Sequence, residues 1–426
     1  LRQLTWASLL IACLAHAACD DDGSSGPSPD ASLPQDGETG MDGSQAADGG
    51  VDGAPDASSP DAEVCSRAPR PADRERRVVV SHPYDTEGGD SDLFEAWPMT
   101  AGGTISFGGA TFAMGRTTLG RIAFTPDGEV GLLAQEDGTL GVFRIDEQHS
   151  LEVLHSRFQG EFYAASVVMD PSGQRAYVLD TQWEENGGGI YSVRIDCDGH
   201  IEEEGLIVGA KLPYDMLRVP DGTGRVVVVA KSILGSAEQT NVHLLDWSTA
   251  PSLIDSVDAF GDDEAIVSDA AITSDGRYVL IGDNSGFSSV PNRVAVVEVT
   301  PTGLTPTQVI SPIEDPIDVV TSPYDNAALV VSGFGDAIFV LDYDPDGSPS
   351  APFSIRGELP YTGSSPALPG KAVMLRRGQL AGTVFVAENI GVRQVVFEAD
   401  GAVTDLGLSS PGSGLQNVVG AVGVQP

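Results

Sequence analysis

The chain of 426 residues carries 62 Asp and Glu against 23 Lys and Arg, a formal net charge of −39. No basic face is available to displace counterions from a phosphate backbone, so nucleic acid is excluded as a partner. The charge instead favours solubility and attracts cations or basic partners.

Residues 1–18 read as an export signal. Arg2 is the sole charge before a short apolar run, Leu4 to Ala15, which small residues close. The run is too short to span a bilayer. It resembles a bacterial lipoprotein signal, in which the cysteine after the cleavage point is lipidated. Two placements compete. His16-Ala17-Ala18-Cys19 sits where the apolar run ends, whereas Leu10-Ile11-Ala12-Cys13 fits the lipobox pattern but leaves a short core. Ala15-His16-Ala17 would also serve ordinary signal peptidase, giving an unlipidated product. Cys19 is preferred, with Cys13 the alternative. Either lipid implies export, with anchoring to the bilayer of a bacterial cell envelope on its periplasmic or cell-surface side.

Residues 19–64 change character. From 20 to 64 there are twelve Asp or Glu and no Lys or Arg, interleaved with Gly, Pro, Ser and Ala. Such composition cannot bury enough apolar surface to offset its ordering entropy, so a disordered acidic tether is expected.

From Cys65 one pattern recurs: a short apolar strand, a tight turn, a β-branched strand, a variable loop and a third strand. It is seen in "RIAFTPDGEVGLLAQEDGTLGVFRID" from Arg121 and "AAITSDGRYVLIGDNSGFSSVPNRVAVVEV" from Ala270. Second strands end at Ala134, Asp180, Ala230, Gly282, Ser332 and Ala387, steps of 46 to 55 residues. That period, with about four strands per unit, predicts an all-β fold over residues 65–426, a seven-bladed β-propeller. The seventh unit is split. "RRVVVSHPYD" from Arg76 reads as a second strand lacking its first, and "LQNVVGAVGVQP" at the C-terminus supplies it, closing the ring. The turns Pro126-Asp127-Gly128, Asp170-Pro171-Ser172-Gly173 and Ser274-Asp275-Gly276 resemble those of the YVTN and lactonase-like propeller group. The resemblance implies blade geometry. Function lies in sites grafted on the fold.

Blade order assigns loops to faces. One mouth of the channel collects acidic residues, among them Asp85, Glu87, Asp90, Glu136, Asp180, Glu184, Glu185, Asp262, Asp263, Glu264, Asp283 and Asp336. Aromatics lie among them: Tyr84, Phe162, Tyr163, Trp183, Tyr214, Phe287 and Phe334. Such a mouth suits a cationic ligand, a basic peptide of another envelope protein or a sugar. It is equally the solvated rim of an acidic protein. Just inside the channel, equivalent positions place Arg121, Ser166, Asp215, Asp269, Asp318, Lys371 and Asn417. Asp215, Asp269 and Asp318 come from adjacent blades. Three close carboxylates either bind Ca²⁺ or another divalent cation, or raise a pKa; alternatively each caps backbone N–H groups.

Asp342 to Gly347 matches the first half of a Ca²⁺ loop, but Phe353 stands where that loop needs Glu, and Asp-Gly also suits a hairpin. The shorter Asp196-Cys197-Asp198-Gly199 has the same ambiguity. The histidines show no metal-ligand spacing. Resemblance to lactonase propellers makes His82 and the axial carboxylates conceivable general bases, though His82 also suits packing at a strand end. The expected role is therefore a membrane-anchored binding module, with a propeller enzyme of lactonase or metal-dependent hydrolase type as the alternative. Export into an oxidising compartment lets the remaining cysteines pair. Cys65 precedes the first strand, and Cys197 falls in the third-to-fourth-strand turn of the third blade on the same face, so a Cys65–Cys197 disulfide is expected; two free thiols are the alternative.

Overall fold

The computed structural model describes residues 65–426 apart from 116–120, 136, 157, 159–163, 181–187, 238, 262–264, 266, 284–291, 334 and 363–368. Expectations for residues 1–64, including lipidation of Cys19 or Cys13 and the tether, lie outside the described residues.

Short runs of Val, Ile and Ala become strands because β-branched side chains fit a pleated surface buried on both faces. The first unit holds β1 (Arg76–Tyr84), β2 (Asp90–Met99) and β3 (Ala110–Ala113). The second holds β4 (Ile122–Phe124), β5 (Val130–Ala134), β6 (Leu140–Ile145) and β7 (Leu151–Leu154). The third begins with β8 (Ala164–Met169), β9 (Arg175–Asp180) and β10 (Gly189–Ile195). Next comes the 18-residue β11 (Ile201–Arg218), which closes the third unit and opens the fourth. The fourth continues with β12 (Arg225–Ile233), β13 (Val242–Asp246) and β14 (Ser252–Val257). The fifth is β15 (Val267–Ile272), β16 (Tyr278–Asp283), β17 (Arg293–Thr300) and β18 (Gly303–Ile310). The sixth is β19 (Pro316–Thr321), β20 (Ala327–Ser332), β21 (Ala337–Tyr343) and β22 (Phe353–Pro360). The seventh is β23 (Ala372–Met374), β24 (Thr383–Glu388), β25 (Gly391–Phe397) and β26 (Val403–Ser409), and the chain ends on β27 (Val422–Val424). Every pairing is antiparallel. Among the described residues there are five four-stranded sheets and one seven-stranded sheet, the latter joined through β11.

The last strand pairs with the first: Val78 faces Val424, Val79 faces Gly423 and Val80 faces Val422. It is shorter than the sequence suggests, because Leu415–Asn417 form a 3₁₀ turn. Asn417 therefore leaves the axial position expected of it and donates to the Ser413 carbonyl at 3.2 Å. Each inner strand touches the next, from β27 through β4, β8, β11, β15, β19 and β23 back to β27.

The core lies between sheets, and the period of two explains how one strand serves two neighbours. Val78 packs with Trp97 of its own sheet and with Phe385 and Ala387 of the seventh unit, while Val79 turns the other way onto Leu133 and Phe143 of the second. Val227 and Val229 meet Val279 and Ile281, whereas Val226 and Val228 meet Tyr177 and Leu179.

One end of the domain carries the first-to-second and third-to-fourth strand turns. In the Pro126-Asp127-Gly128 turn, Asp127 accepts from Thr125 Oγ1 at 2.6 Å and Glu129 N at 3.0 Å, with Gly128 at φ 74°. The lead-in segment from Cys65 crosses this end. Cys65 is disulfide-bonded to Cys197 with Cα atoms 5.3 Å apart, Arg67 pairs with Asp127 at 3.0 Å, and Arg70 N donates to the Pro126 carbonyl.

Candidate functional site: a charged cluster on the axis

The inner strands β8, β11, β15 and β19 each carry a bulge at the point where they enter their sheet. A bulge breaks the alternation and re-aims a side chain. At or beside these bulges stand Ser166, Asp215, Asp269 and Asp318.

Arg121, which precedes β4, reaches across to the opposite strands. Its Nη2 donates to Asp318 Oδ1 and lies 3.0 Å from Asp269 Oδ2. Its Nη1 lies 3.5 Å from Asp215 Oδ2, and its Nε donates to the Ala372 carbonyl at 3.0 Å. Lys371 approaches from the seventh unit. Its Nζ donates to Asp269 Oδ2 and to the Ile317 carbonyl, both at 2.7 Å, and to the Ser268 carbonyl at 3.3 Å. The cluster thus joins the second, fourth, fifth, sixth and seventh units.

The carboxylates also cap backbone. Met216 N donates to Asp215 Oδ1 at 2.8 Å, Ala270 N to Asp269 Oδ1 at 2.7 Å, and Ala372 N to Asp318 Oδ2. The three Asp side chains are closed off, but those of Arg121 and Lys371 remain 27% and 23% exposed. The cations therefore face the channel and the anions stand behind them.

Charge is divided unevenly. Burial opposes ionisation of Asp269, yet Arg121 and Lys371 together hold its pKa far below the usual range. Burial and the Asp269 charge push Asp215 well up, against the pull of Arg121. Burial also raises Asp318, with Arg121 opposing and Asp269 adding. Burial works against the Arg121 charge too, but Asp269, Asp318 and Asp215 outweigh it and raise its pKa. Arg376 lies near the cluster, its pKa lowered by burial and by repulsion from Arg121.

Asp215, Asp269 and Asp318 converge as the sequence predicts, and the groups set against them are the Arg121 guanidinium and the Lys371 ammonium of the chain itself. Among the described residues no three His, Cys, Asp or Glu side chains are arranged to hold a metal ion. The Asp342–Gly347 run is likewise a hairpin: Asp342 Oδ1 accepts from Arg356 Nε at 2.6 Å, and Asp344 Oδ1 accepts from Asp346 N at 3.1 Å. In the shorter run Asp196 Oδ1 accepts from Asp198 N and His200 N.

The mouth is only partly as expected. Tyr214 leans onto the apolar layer between the fourth and fifth units, where burial pushes its pKa up to about 12, so it is not an open platform. Asp85 Oδ1 accepts from Glu87 N and Gly89 N, both at 2.8 Å, within its own turn. Asp283 is buried and paired with Arg293 at 2.9 Å, while Asp336 is exposed. Trp183, Glu136, Phe162, Tyr163, Glu184, Glu185, Asp262, Asp263, Glu264, Phe287 and Phe334 lie outside the described residues.

His82 is buried, with Nδ1 3.1 Å from the Val418 carbonyl and Nε2 3.5 Å from Glu95 Oε2. Nδ1 thus faces the C-terminal segment across the seam, and Nε2 faces β2. Two charged groups escaped sequence reasoning. One is Arg393 with Glu388 and Asp405, at 3.2 and 2.6 Å. The other is the arginine-rich lead-in, whose signal was five arginines between 67 and 77.

The fold is that of a β-propeller, and solved structures with lactonase-like names share it. The periplasmic gluconolactonase of Pseudomonas aeruginosa superposes with a TM-score of 0.57 at 13% identity, over 83% of this chain and 99% of that one. A candidate 6-phosphogluconolactonase from Bacteroides fragilis gives 0.56 at 13% identity, over 84% and 99%. A protein from Lactobacillus plantarum gives 0.59 at 14%, over 83% and 100%. At this identity the likeness concerns the fold alone. No protein-family model and no curated protein matches the sequence.

Proposed function

We propose that the chain is an exported lipoprotein whose domain from Cys65 is a seven-bladed propeller, closed by its last strand and used for binding. In this reading the lipid sits on Cys19, or alternatively Cys13, and residues 20–64 form the tether. The pairing of β27 with β1 and the unbroken succession of inner strands support the seven-blade count. The bound partner is a cationic ligand or a basic surface of another envelope protein, held at the acidic mouth.

One observation carries the choice of binding over catalysis. Asp215, Asp269 and Asp318 are engaged with Arg121 and Lys371 and with backbone N–H groups, which is a structural use of the axis. Recognition then falls to the rim.

The test pairs two assays on the mature protein. A lysine-rich peptide should bind with an affinity that falls as salt rises, because exposed charges are screened beyond about 8 Å at physiological ionic strength. Native mass spectrometry should show no metal requirement for that complex. Salt-independent or absent peptide binding would remove the rim from consideration. A second reading rests on Asp215 and Asp318, carboxyls whose raised pKa values suit general acid–base work beside the channel. Hydrolysis of a sugar lactone, lost in Asp318→Asn with the fold retained, would establish that reading instead.

A further inference from the structure

At the lead-in end the charge of the chain is locally inverted. From Cys65 onward acidic residues outnumber basic ones by 50 to 22, yet Arg67, Arg70, Arg74, Arg76 and Arg77 fall within one short stretch. Between that stretch and the β6–β7 hairpin lies a cavity of about 350 Å³, lined by Arg70, Arg74, Glu75, Glu147, Gln148 and His149.

Compensation of the cations here is partial. Arg74 pairs with Glu147 at 3.0 Å, which settles the charge of that glutamate. Glu75 is the other carboxylate in the lining. Among the described residues, Arg70, Arg76 and Arg77 have no carboxylate within ion-pair distance, and their forks donate to backbone carbonyls of Glu75, Ala72, Arg74 and Arg76. Arg70 Nε and His149 Nδ1 are buried without a hydrogen-bond partner. An unmatched buried polar atom is costly unless something fills its valence. Burial lowers the pKa of Arg70, with repulsion from Arg74, Arg76 and Arg77 adding to it, and burial, Arg77 and Arg70 lower that of His149. The hairpin fixes His149 at φ 65°, with its N–H donating to the Asp146 carbonyl at 2.9 Å.

We propose that this cavity is a binding site for a small phosphate-bearing anion, received by the guanidinium groups of Arg70 and Arg74 and by the His149 ring. A guanidinium matches two phosphate oxygens at once, and small-ligand sites begin at about 300 Å³. A soluble phosphate ester fits better than a lipid headgroup, because the acidic domain as a whole is repelled by an anionic bilayer. One wall of the site exists only where the lead-in is docked, so the Cys65–Cys197 bridge supports the site as well as the fold.

The experiment uses the full chain and inorganic phosphate as probe, with chloride at equal ionic strength as control. Phosphate should raise the melting temperature progressively with concentration, as ligand linkage requires. It should also move the His149 titration upward in NMR, since an anion favours the imidazolium. Arg74→Gln and His149→Asn, both outside the apolar core, should each weaken binding about 10-fold, the worth of one charged hydrogen bond. Asn tolerates the left-handed backbone at 149, so this variant keeps the test valid if Arg74→Gln misfolds. Flotation with phosphatidylcholine vesicles, with and without phosphatidic acid, separates the sources: capture by phosphatidic acid without a free-phosphate effect assigns the site to lipid headgroups. No phosphate-specific shift together with no phosphatidic-acid-specific flotation overturns the proposal. So does a phosphate shift of undiminished size in both variants. None of these outcomes depends on the acidic mouth.

Discussion

Replacing Arg121 by Met would keep most of the side chain's volume and remove the charge that three carboxylates share. Breaking a buried pair from one side costs about 3–5 kcal/mol, because the remaining charges are left uncompensated. The Arg121 side chain is 27% exposed to the channel, which puts the expected loss near the lower end of that range. The loss should depend on pH, and the sign follows from Asp269. In the native protein its pKa is depressed, so it stabilises the fold above the unfolded pKa and that contribution fades as pH falls. Without Arg121 the cluster keeps three carboxylates and only Lys371, so the folded pKa values rise and stability is lost as pH climbs. The penalty should therefore be larger at pH 8 than at pH 5. Urea midpoints followed by tryptophan fluorescence at both pH values measure it, and Arg121→Met with Asp269→Asn should recover part of the loss. Unfolding free energies at pH 8 equal to the native ones within about 0.5 kcal/mol would show that the cluster carries no net interaction.

Two of the three aspartates beside Arg121 should behave oppositely. Asp269→Asn removes the charge that both Arg121 and Lys371 meet and should cost about 3 kcal/mol. Asp215→Asn should be nearly neutral near pH 5 and stabilising at pH 8, because a raised pKa makes native stability fall as pH rises through it; a loss at pH 8 would contradict that assignment. Gly423→Ala places a Cβ about 2.4 Å from Ile122 Cβ, so overpacking of about 1–3 kcal/mol is expected at the seam, read as a lower urea midpoint. Cys65→Ser with Cys197→Ser opens a loop of 132 residues, for which chain entropy sets a loss of at most about 5 kcal/mol; an unchanged melting temperature would mean that the lead-in stays docked by Arg67 and Arg70 alone.

Much of this arrangement was written locally. Second-strand ends expected at Ala134, Asp180 and Ser332 are the last residues of β5, β9 and β20, because period-two patterning and Asp-Gly turns act within a few residues. Gly282 and Ala387 fall one residue short of the ends of β16 and β24, and Ala230 three short of that of β12. The fusion of two units through β11 was not legible, since nothing in Gly205 to Lys211 marks a strand that fails to break. Asn417 was misplaced because the last strand is only three residues long, too short for its apolar pattern to fix a register. The axial layer shows the limit differently. Equivalent positions already put Arg121 and Lys371 level with the three aspartates, but spacing gives the layer and not the reach of a side chain. Whether a guanidinium reaches the carboxylates of other units depends on how the sheets pack together, which no local pattern records.

The domain is held by two devices that draw mainly on different units, with only the second in common. The seam between β1 and β27 has three residue pairs, extended by Gly420, Ala421 and Gln425, which hydrogen-bond to Ser81 and Arg77. The axial cluster draws together the second, fourth, fifth, sixth and seventh units but takes no charge from the first or third, where Ser166 stands in place of an aspartate. Those are the units that the lead-in secures. It is bonded to the third at Cys197 and, through the Cys65 carbonyl, to Gln174 at 2.8 Å. It then crosses the second at Asp127 and Pro126 and runs directly into β1. The axial charges respond to pH and the lead-in to reductant. Reduction should therefore lower stability by a similar amount at pH 5 and pH 8, whereas the Arg121→Met penalty changes with pH. If the two losses prove additive at either pH, the devices brace the domain independently; a surplus would mean that both act through the pairing of β27 with β1.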